Sequence, residues 1–333
     1  MLGLSRRHHH QYPRPAAHRG RLATTPSDIP KAGWKDILWR TWDEQSKDNI
    51  SMIAAGVAYY ALLAIFPAIA AMVSLFGIFA DPAGIEQQVE QLNGLLPPEA
   101  LEILRSQAHS VATAPPQGLG FGVLFGLLLT LWSASRGTNS LITALNIAYG
   151  EQENRSFLWL AALSLMLTVA GLLFLIVTLG MIVAVPAAIN AMGLEETMIG
   201  WVARLARWPI LAAAIMFVLA VLYRYAPDRR EAKWRWVSWG AGAATFLWLL
   251  GSVGFSVYVS NFGSYNETYG SVGAVVVLLL WFNLTAYVIL MGAELNAEIE
   301  HQTVQDTTAN NGNERPLGQR GAYVADTVGQ KRA

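Results

Sequence analysis

Six stretches of this chain run for sixteen residues or more without a charged side chain, and that pattern constrains the fold more than anything else in the sequence. They are Met52 to Ala80, Gly118 to Ser135, Phe157 to Leu194, Trp208 to Tyr223, Trp236 to Asn266 and Thr268 to Ala293. A helix needs roughly 20 apolar residues to cross a hydrocarbon core about 30 Å thick. The expected fold class is therefore all-α: a polytopic membrane protein of six transmembrane helices. The spans are expected at about 52–80, 118–135, 157–185, 208–223, 236–259 and 271–293. The fourth run is short, but Arg207 and Arg224 flank it and can reach the two interfaces. Only 14% of the 333 residues are charged, against roughly 25% in soluble domains.

Lysine and arginine give the orientation. Nine precede the first run, two lie between the second and third, five between the fourth and fifth, and four follow the sixth. The intervening connections hold three. Positive residues favour the cytoplasmic face, so both termini are expected there. Net charge is zero, which supplies no basic field for a nucleic-acid partner. The chain has no cysteine, which excludes disulfides, thiolate metal sites and a cysteine nucleophile. About fifty mostly polar residues precede the first apolar run, so the N-terminus does not read as a secretory signal.

Residues 1–33 and 301–333 read as disordered cytoplasmic tails around a membrane domain at 34–300. His8, His9 and His10 have no carboxylate or cysteine spaced to close a metal site, and read as part of a solvated tail. Trp34 to Asn49 reads as an interfacial amphipathic helix with Trp34, Ile37, Leu38 and Trp42 on one face. The loop from Asp81 to Gln117 is expected outside, with two short helices opening near Ile85 and at Pro97-Pro98-Glu99. The tight, tyrosine-rich Asn261 to Gly273 segment reads as an external turn.

Arg136 follows the second run in the sequence WSASRGTNSLITALNIAYG, Trp132 to Gly150. Behind it, Ser135, Asn139, Thr143 and Asn146 form a polar stripe, and Leu141, Ile142, Leu145 and Tyr149 an apolar one. One interpretation makes Arg136 a stop-transfer residue at the cytoplasmic end of span two, followed by an interfacial helix. The other places it at the mouth of a polar cavity, where it meets an anionic substrate or lipid headgroup. In span six, Asn283, Tyr287, Glu294 and Glu298 share a helix face. Asn283 is expected near mid-membrane and Glu294 at the cytoplasmic boundary, level with Arg136. An Arg136–Glu294 ion pair is one expectation; a solvated Glu294 ending the hydrophobic run is the other. Tyr60 and Gly56 share a face with Pro67, where a proline can kink the helix. Gly251 and Gly254 allow close helix contact in span five. Pro67, Gly251 and Gly254 are the candidate hinge positions, beside their plainer role in packing.

Neither a catalytic triad, paired carboxylates, HExxH nor a phosphate-cradling GxxxxGK[ST] appears, so no cofactor or metal is implied and catalysis is unsupported.

Four segments, AAGVAYYALLAIFPAI (Ala54 to Ile69), LWSASRGTNSLITALNIAYG (Leu131 to Gly150), LYRYAPD (Leu222 to Asp228) and YGSVGAVVVLLLWFNLTAYVILMGAELNAEIE (Tyr269 to Glu300), resemble the YihY/BrkB family of bacterial inner-membrane proteins. The resemblance runs from about Trp34 to Glu300 and implies about six membrane helices in a bacterial inner membrane. It also brings the historical label ribonuclease BN. A metal-dependent nuclease needs His and Asp clusters around its ions. Four of the six histidines lie in the first thirty residues, and the label reads as a misassignment.

The function expected from these features is transport or handling of a lipid or other anionic amphiphile, in a polar cavity open to the cytoplasm. Arg136 would attract the anionic group, Asn139, Asn283 and Tyr60 would supply hydrogen bonds, and Glu294 would hold Arg136 or exchange protons. Membrane lipids and an anionic or amphipathic small molecule are the expected partners. The alternatives are a non-catalytic scaffold for envelope proteins and, behind it, a membrane-embedded enzyme.

Overall fold

The computed structural model describes residues 19–79, 105, 121–194, 197–229, 232–261 and 271–303. Among them there is no strand. The helices are α1 (Lys31–Lys47), α2 (Ile50–Phe79), α3 (Phe121–Ala148), α4 (Phe157–Ala191), α5 (Met198–Tyr225), α6 (Trp234–Asn261) and α7 (Ser271–His301). Phe157–Ile182, Gly200–Tyr225, Trp234–Val259 and Val275–His301 are each long and apolar enough to cross a membrane. α1 and Ile50–Ile65 qualify together as a pair bent by 63°. The protein is thus an all-α, multi-pass membrane protein. Against the six spans expected from sequence, four helices qualify among the described residues, or five counting the bent pair. The expected helices within 81–117 and the turn at 262–270 lie outside the described residues, as do 1–18 and 304–333.

Three boundaries differ from the sequence expectation. α3 does not end near Ser135 but continues unbroken to Ala148. Ile142, Ala144, Leu145 and Ala148 are buried in the main core, so packing carries the helix past Arg136 while the arginine itself points outward. α5 begins at Met198 rather than near Trp208, because Thr197 caps it by accepting from the Gly200 N–H at 3.2 Å. Arg204 and Arg207 are therefore helical rather than in a loop. Residues 19–33, expected to be disordered, are folded. Ala23 and Ile29 bury against Ile37, Trp236 and Ile299, and apolar contact of this kind is what a disordered tail lacks. At the other end, His301, Gln302 and Thr303 are buried too.

Within α1, Ile37 parts from Leu38 and Trp42, with which it was expected to share a face. Gly33, Asp36, Ile37 and Thr41 are buried, whereas Leu38, Trp39 and Trp42 point outward. Trp34 is half-buried against Trp239, ring centroids 5.0 Å apart. The cause is a pair of charged residues on either side of Ile37. Asp36 pairs with Arg19 and Arg40 reaches α7, and both pulls rotate the helix. Asn49, in the left-handed region at φ 54°, breaks the chain between α1 and α2, a conformation asparagine tolerates.

α7 packs against α1, α2, α3 and α6. Lipid tails are as apolar as leucine, so helices in a membrane associate through close packing of small residues and through polar contacts. Both are present here. Ala54, Ala241, Ala244, Ala293 and Ala297 are buried between helices. The closest approach is at Gly240 of α6 and Gly292 of α7. A Cβ on Gly240 would collide with the Gly292 carbonyl oxygen and come within 2.5 Å of the Asn296 amide. One on Gly292 would meet the Tyr223 hydroxyl, with the Gly240 carbonyl at 2.7 Å and Ala244 Cβ at 2.8 Å.

Candidate functional site

The last three turns of α7 and the residues just after them carry the densest group of buried polar side chains among the described residues. Glu294, Asn296, Glu298, Glu300, His301 and Gln302 are all buried, and most of these side chains recruit a different part of the chain. Asn296 Oδ1 accepts from the Gly240 N–H at 2.8 Å, while its Nδ2 donates to the Tyr149 hydroxyl at 3.2 Å and the Val237 carbonyl at 3.3 Å. Arg229, from the α5–α6 connection, donates from Nη1 to both Glu300 oxygens, at 2.8 and 2.9 Å. Its guanidinium lies 3.9 Å from the centre of the Tyr149 ring, within range of a cation–π contact. It also donates to the Tyr223 carbonyl at 3.2 Å. Arg40 Nε donates to Glu298 at 2.5 Å and Arg40 Nη2 to Gln302 at 2.6 Å. His301 Nδ1 lies 3.0 Å from the other Glu298 oxygen, and Gln302 Nε2 donates to the Arg19 carbonyl at 2.7 Å.

Burial pushes the Tyr149 phenol well above its ordinary range, with nearby Arg229 opposing and Glu300 and Glu294 assisting. It therefore stays a neutral hydrogen-bonding group. Burial works against the charge of Arg229, but Glu300 and Tyr149 outweigh it and raise its pKa further. This network fixes the ends of α3, α5, α6 and α7 relative to one another.

A smaller network joins the two connections at the same end. Asp228 N–H donates to Asn146 Oδ1 at 2.7 Å, and Asn154 N–H to Asp228 at 2.7 Å. Arg155 pairs with Glu153 at 2.6 Å and donates to the Ala226 carbonyl at 2.8 Å. Burial raises the Glu153 carboxyl, but hydrogen bonds from Arg155 and Asn146 overcome it and leave its pKa below the ordinary 4.5. A depressed carboxyl pKa contributes stability above its unfolded value, lost as pH falls through the folded one. Acidification below pH 4.5 is therefore expected to raise amide exchange across residues 151–155. In Glu153→Gln that added pH dependence should vanish.

The sequence-derived candidates divide into two groups. Tyr287 and Glu298 both turn towards α1, as their shared face implies: the Tyr287 hydroxyl donates to Gln45 Oε1 at 3.1 Å. Glu294, on the same face, is completely buried. Asn283 is half-buried one turn before Tyr287. Arg136 belongs elsewhere. It is exposed, and its guanidinium lies 5.8 Å from the centre of the Trp132 ring. The expected Arg136–Glu294 pair does not form, because the two sit at different depths. Arg136 precedes Tyr149 by thirteen residues, about 20 Å of helix, whereas Glu294 is only about 3 Å from the Asn296 level that Tyr149 touches.

Around Arg136 the structure gathers residues from α2 and α4. Gly137 faces α2 so closely that an added Cβ would lie 3.2 Å from Ala64 Cβ and 3.6 Å from the Tyr60 carbonyl. Tyr60 is exposed and meets Tyr59 edge-on, ring centroids 5.4 Å apart. Thr138 and Thr168 of α4 share a hydrogen bond of 2.7 Å. Asn139 is half-buried, and its Oδ1 accepts no hydrogen bond among the described residues. Of the hinge candidates, Pro67 is half-buried within an unbroken α2. A methyl group on Gly251 would touch Leu284, whereas one on Gly254 would have nothing within 4 Å. Sequence reasoning missed Arg229, Arg40, Asn296 and the Gly240–Gly292 contact. The signal available was the density of polar residues in AELNAEIE, Ala293 to Glu300, too many for a lipid-facing helix end.

Four helices long and apolar enough to cross a membrane, packed around a polar network at one end, define a multi-pass membrane protein. The chain belongs to the family described as Virulence factor BrkB, whose pattern matches residues 41–316. It is 33% identical to the ribonuclease-like protein YfkH of Bacillus subtilis, over 73% of this chain and 88% of that protein. It is 26% identical to a UPF0761 membrane protein of Pseudoalteromonas atlantica, over 81% of this chain and 91% of the relative. A UPF0761 membrane protein of Aeromonas salmonicida is 28% identical, over 77% and 86%. No solved structure matches it.

Proposed function

We propose that the protein binds an anionic amphiphile on the face shared by α2 and α3 and helps its charged head cross the bilayer. The observation that carries this reading is the exposure of Arg136 in the interior of a continuous helix. It stands about 20 Å back from the polar end of α3, in a membrane whose hydrocarbon core is about 30 Å thick. An exposed guanidinium at that depth needs water or an anion, and among the described residues no carboxylate pairs with it. Trp132 supplies an amphipathic ring beside it, the exposed Tyr60 lies on the stretch of α2 that the neighbouring Gly137 faces, and Asn139, one turn on, has an amide oxygen that accepts no hydrogen bond among the described residues. The polar end of the bundle is assigned to the cytoplasm of a bacterium, following the excess of Lys and Arg on that side.

The test is apparent thermal stability of the detergent-purified protein with added phosphatidylglycerol or phosphatidylcholine. A ligand that binds the folded state stabilises it by mass action, by about 2.7 kcal/mol at a hundredfold excess over Kd. Phosphatidylglycerol is expected to raise the wild-type midpoint and to leave Arg136→Gln unchanged, with phosphatidylcholine shifting neither. Equal shifts in wild type and variant would refute the site. A wild type that binds but moves no labelled lipid across reconstituted vesicles would leave binding without transport and favour a scaffold.

A further inference from the structure

The outward face of α1 is independent of the Arg136 site. Lys31, Lys35, Leu38, Trp39 and Trp42 follow one another at spacings of four, three, one and three, which puts them on one side of the helix. All five are exposed; Leu38, Trp39 and Trp42 retain 58%, 59% and 60% of their surface. The opposite side is committed to the protein through Ile37, Thr41 and the Arg40–Glu298 ion pair. α1 leaves the direction of α2 by 63°, so it runs closer to the membrane plane than to its normal. The exposed face is also continuous with the lipid-facing surface of the spans. Trp34 connects it to the exposed Trp239 of α6, and Met52 is exposed where α2 begins.

Two tryptophans and a leucine next to two lysines, at the level where a spanning helix starts, match the chemistry of lipid headgroups. The rings sit at the headgroup level and the ammonium groups meet phosphate. Lysine near an anionic leaflet is attracted to it over about a Debye length. We propose that α1 is a membrane-surface element whose outer face docks on anionic phospholipid headgroups. Through Arg40 it ties that surface to the buried end of α7.

The chain has no native cysteine, so single nitroxide labels can be placed in the full-length protein by Trp39→Cys or Trp42→Cys. Gln152→Cys, in an exposed polar connection, and Leu173→Cys, on the exposed face of α4, serve as water and lipid references. The protein is held in nanodiscs of phosphatidylcholine, or of phosphatidylcholine with an equal part of phosphatidylglycerol. Power-saturation with oxygen and a nickel chelate reads local immersion. Labels at 39 and 42 are expected to show an oxygen-to-nickel ratio several-fold above the Gln152 reference, with deeper immersion in the anionic discs. Lys31→Gln/Lys35→Gln should abolish that increment, and Arg136→Gln should leave it intact, which separates this surface from the α2–α3 site. Labels matching the water reference in both discs would overturn the proposal. So would equal immersion with and without phosphatidylglycerol.

Discussion

Substituting methionine for Arg229 is expected to destabilise the fold by about 3–5 kcal/mol, the cost of leaving a buried charge without its partner. The Arg229 side chain keeps 2% of its surface and Glu300 7%, so neither can turn to solvent. The guanidinium engages both Glu300 oxygens, the Tyr149 ring and the Tyr223 carbonyl. Its loss removes both of these hydrogen bonds from a buried carboxylate and loosens the α5–α6 connection in one step. The pair need not be worth that much in itself, because two buried ions replaced by apolar groups of similar volume often lose little. Arg229→Met/Glu300→Leu is therefore expected to regain most of the stability lost in the single variant. Unfolding midpoints of the purified protein in one detergent decide the matter. A double variant as unstable as the single one would show that Arg229 acts through Tyr149 and Tyr223 rather than through Glu300.

Valine in place of Gly292 is expected to be the next most damaging change, at about 1–3 kcal/mol or more for overpacking a tight site. The position has no slack. The Gly240 carbonyl is rigid backbone, and the Tyr223 hydroxyl is held by its bond to the Ile289 carbonyl at 2.7 Å. Separation of α6 from α7 would also stretch both bonds between Asn296 and α6. Gly254→Ala, facing open space on the same helix pair, should unfold with the wild type. Equal effects of the two substitutions would mean that the α6–α7 seam is looser than its geometry implies.

The apolar runs carry the architecture well. α2, α4, α6 and α7 fall within a few residues of the expected spans at one end or both, because an uncharged run of that length has one stable form in hydrocarbon. Boundaries fail where a charge is read as a helix end. Arg136 and Arg207 are both inside helices, since a single side chain can reach sideways while its backbone stays bonded. The face of α1 is not legible locally because its partners, Arg19 and Glu298, lie outside its own sequence. Glycine spacing points to Gly251 and Gly254, yet the tight contact is Gly240 with Gly292. Only the opposing helix distinguishes them. Arg229 is hidden for a similar reason. It stands among five cations in one connection, and nothing local distinguishes the one that finds Glu300, 71 residues later.

The clasp between α1 and the end of α7 has a consequence for how the molecule is made. Arg40 and Glu298 are 258 residues apart, so α1 leaves the ribosome well before the part of α7 that it holds has been synthesised. At about 5–20 residues per second, that is a delay of roughly 13–50 s. Until then Arg40 lacks the Glu298 carboxylate that it holds in the folded protein. Any truncation before Glu298 leaves Arg40 without that carboxylate, which makes closure of the clasp a report that α7 has been made.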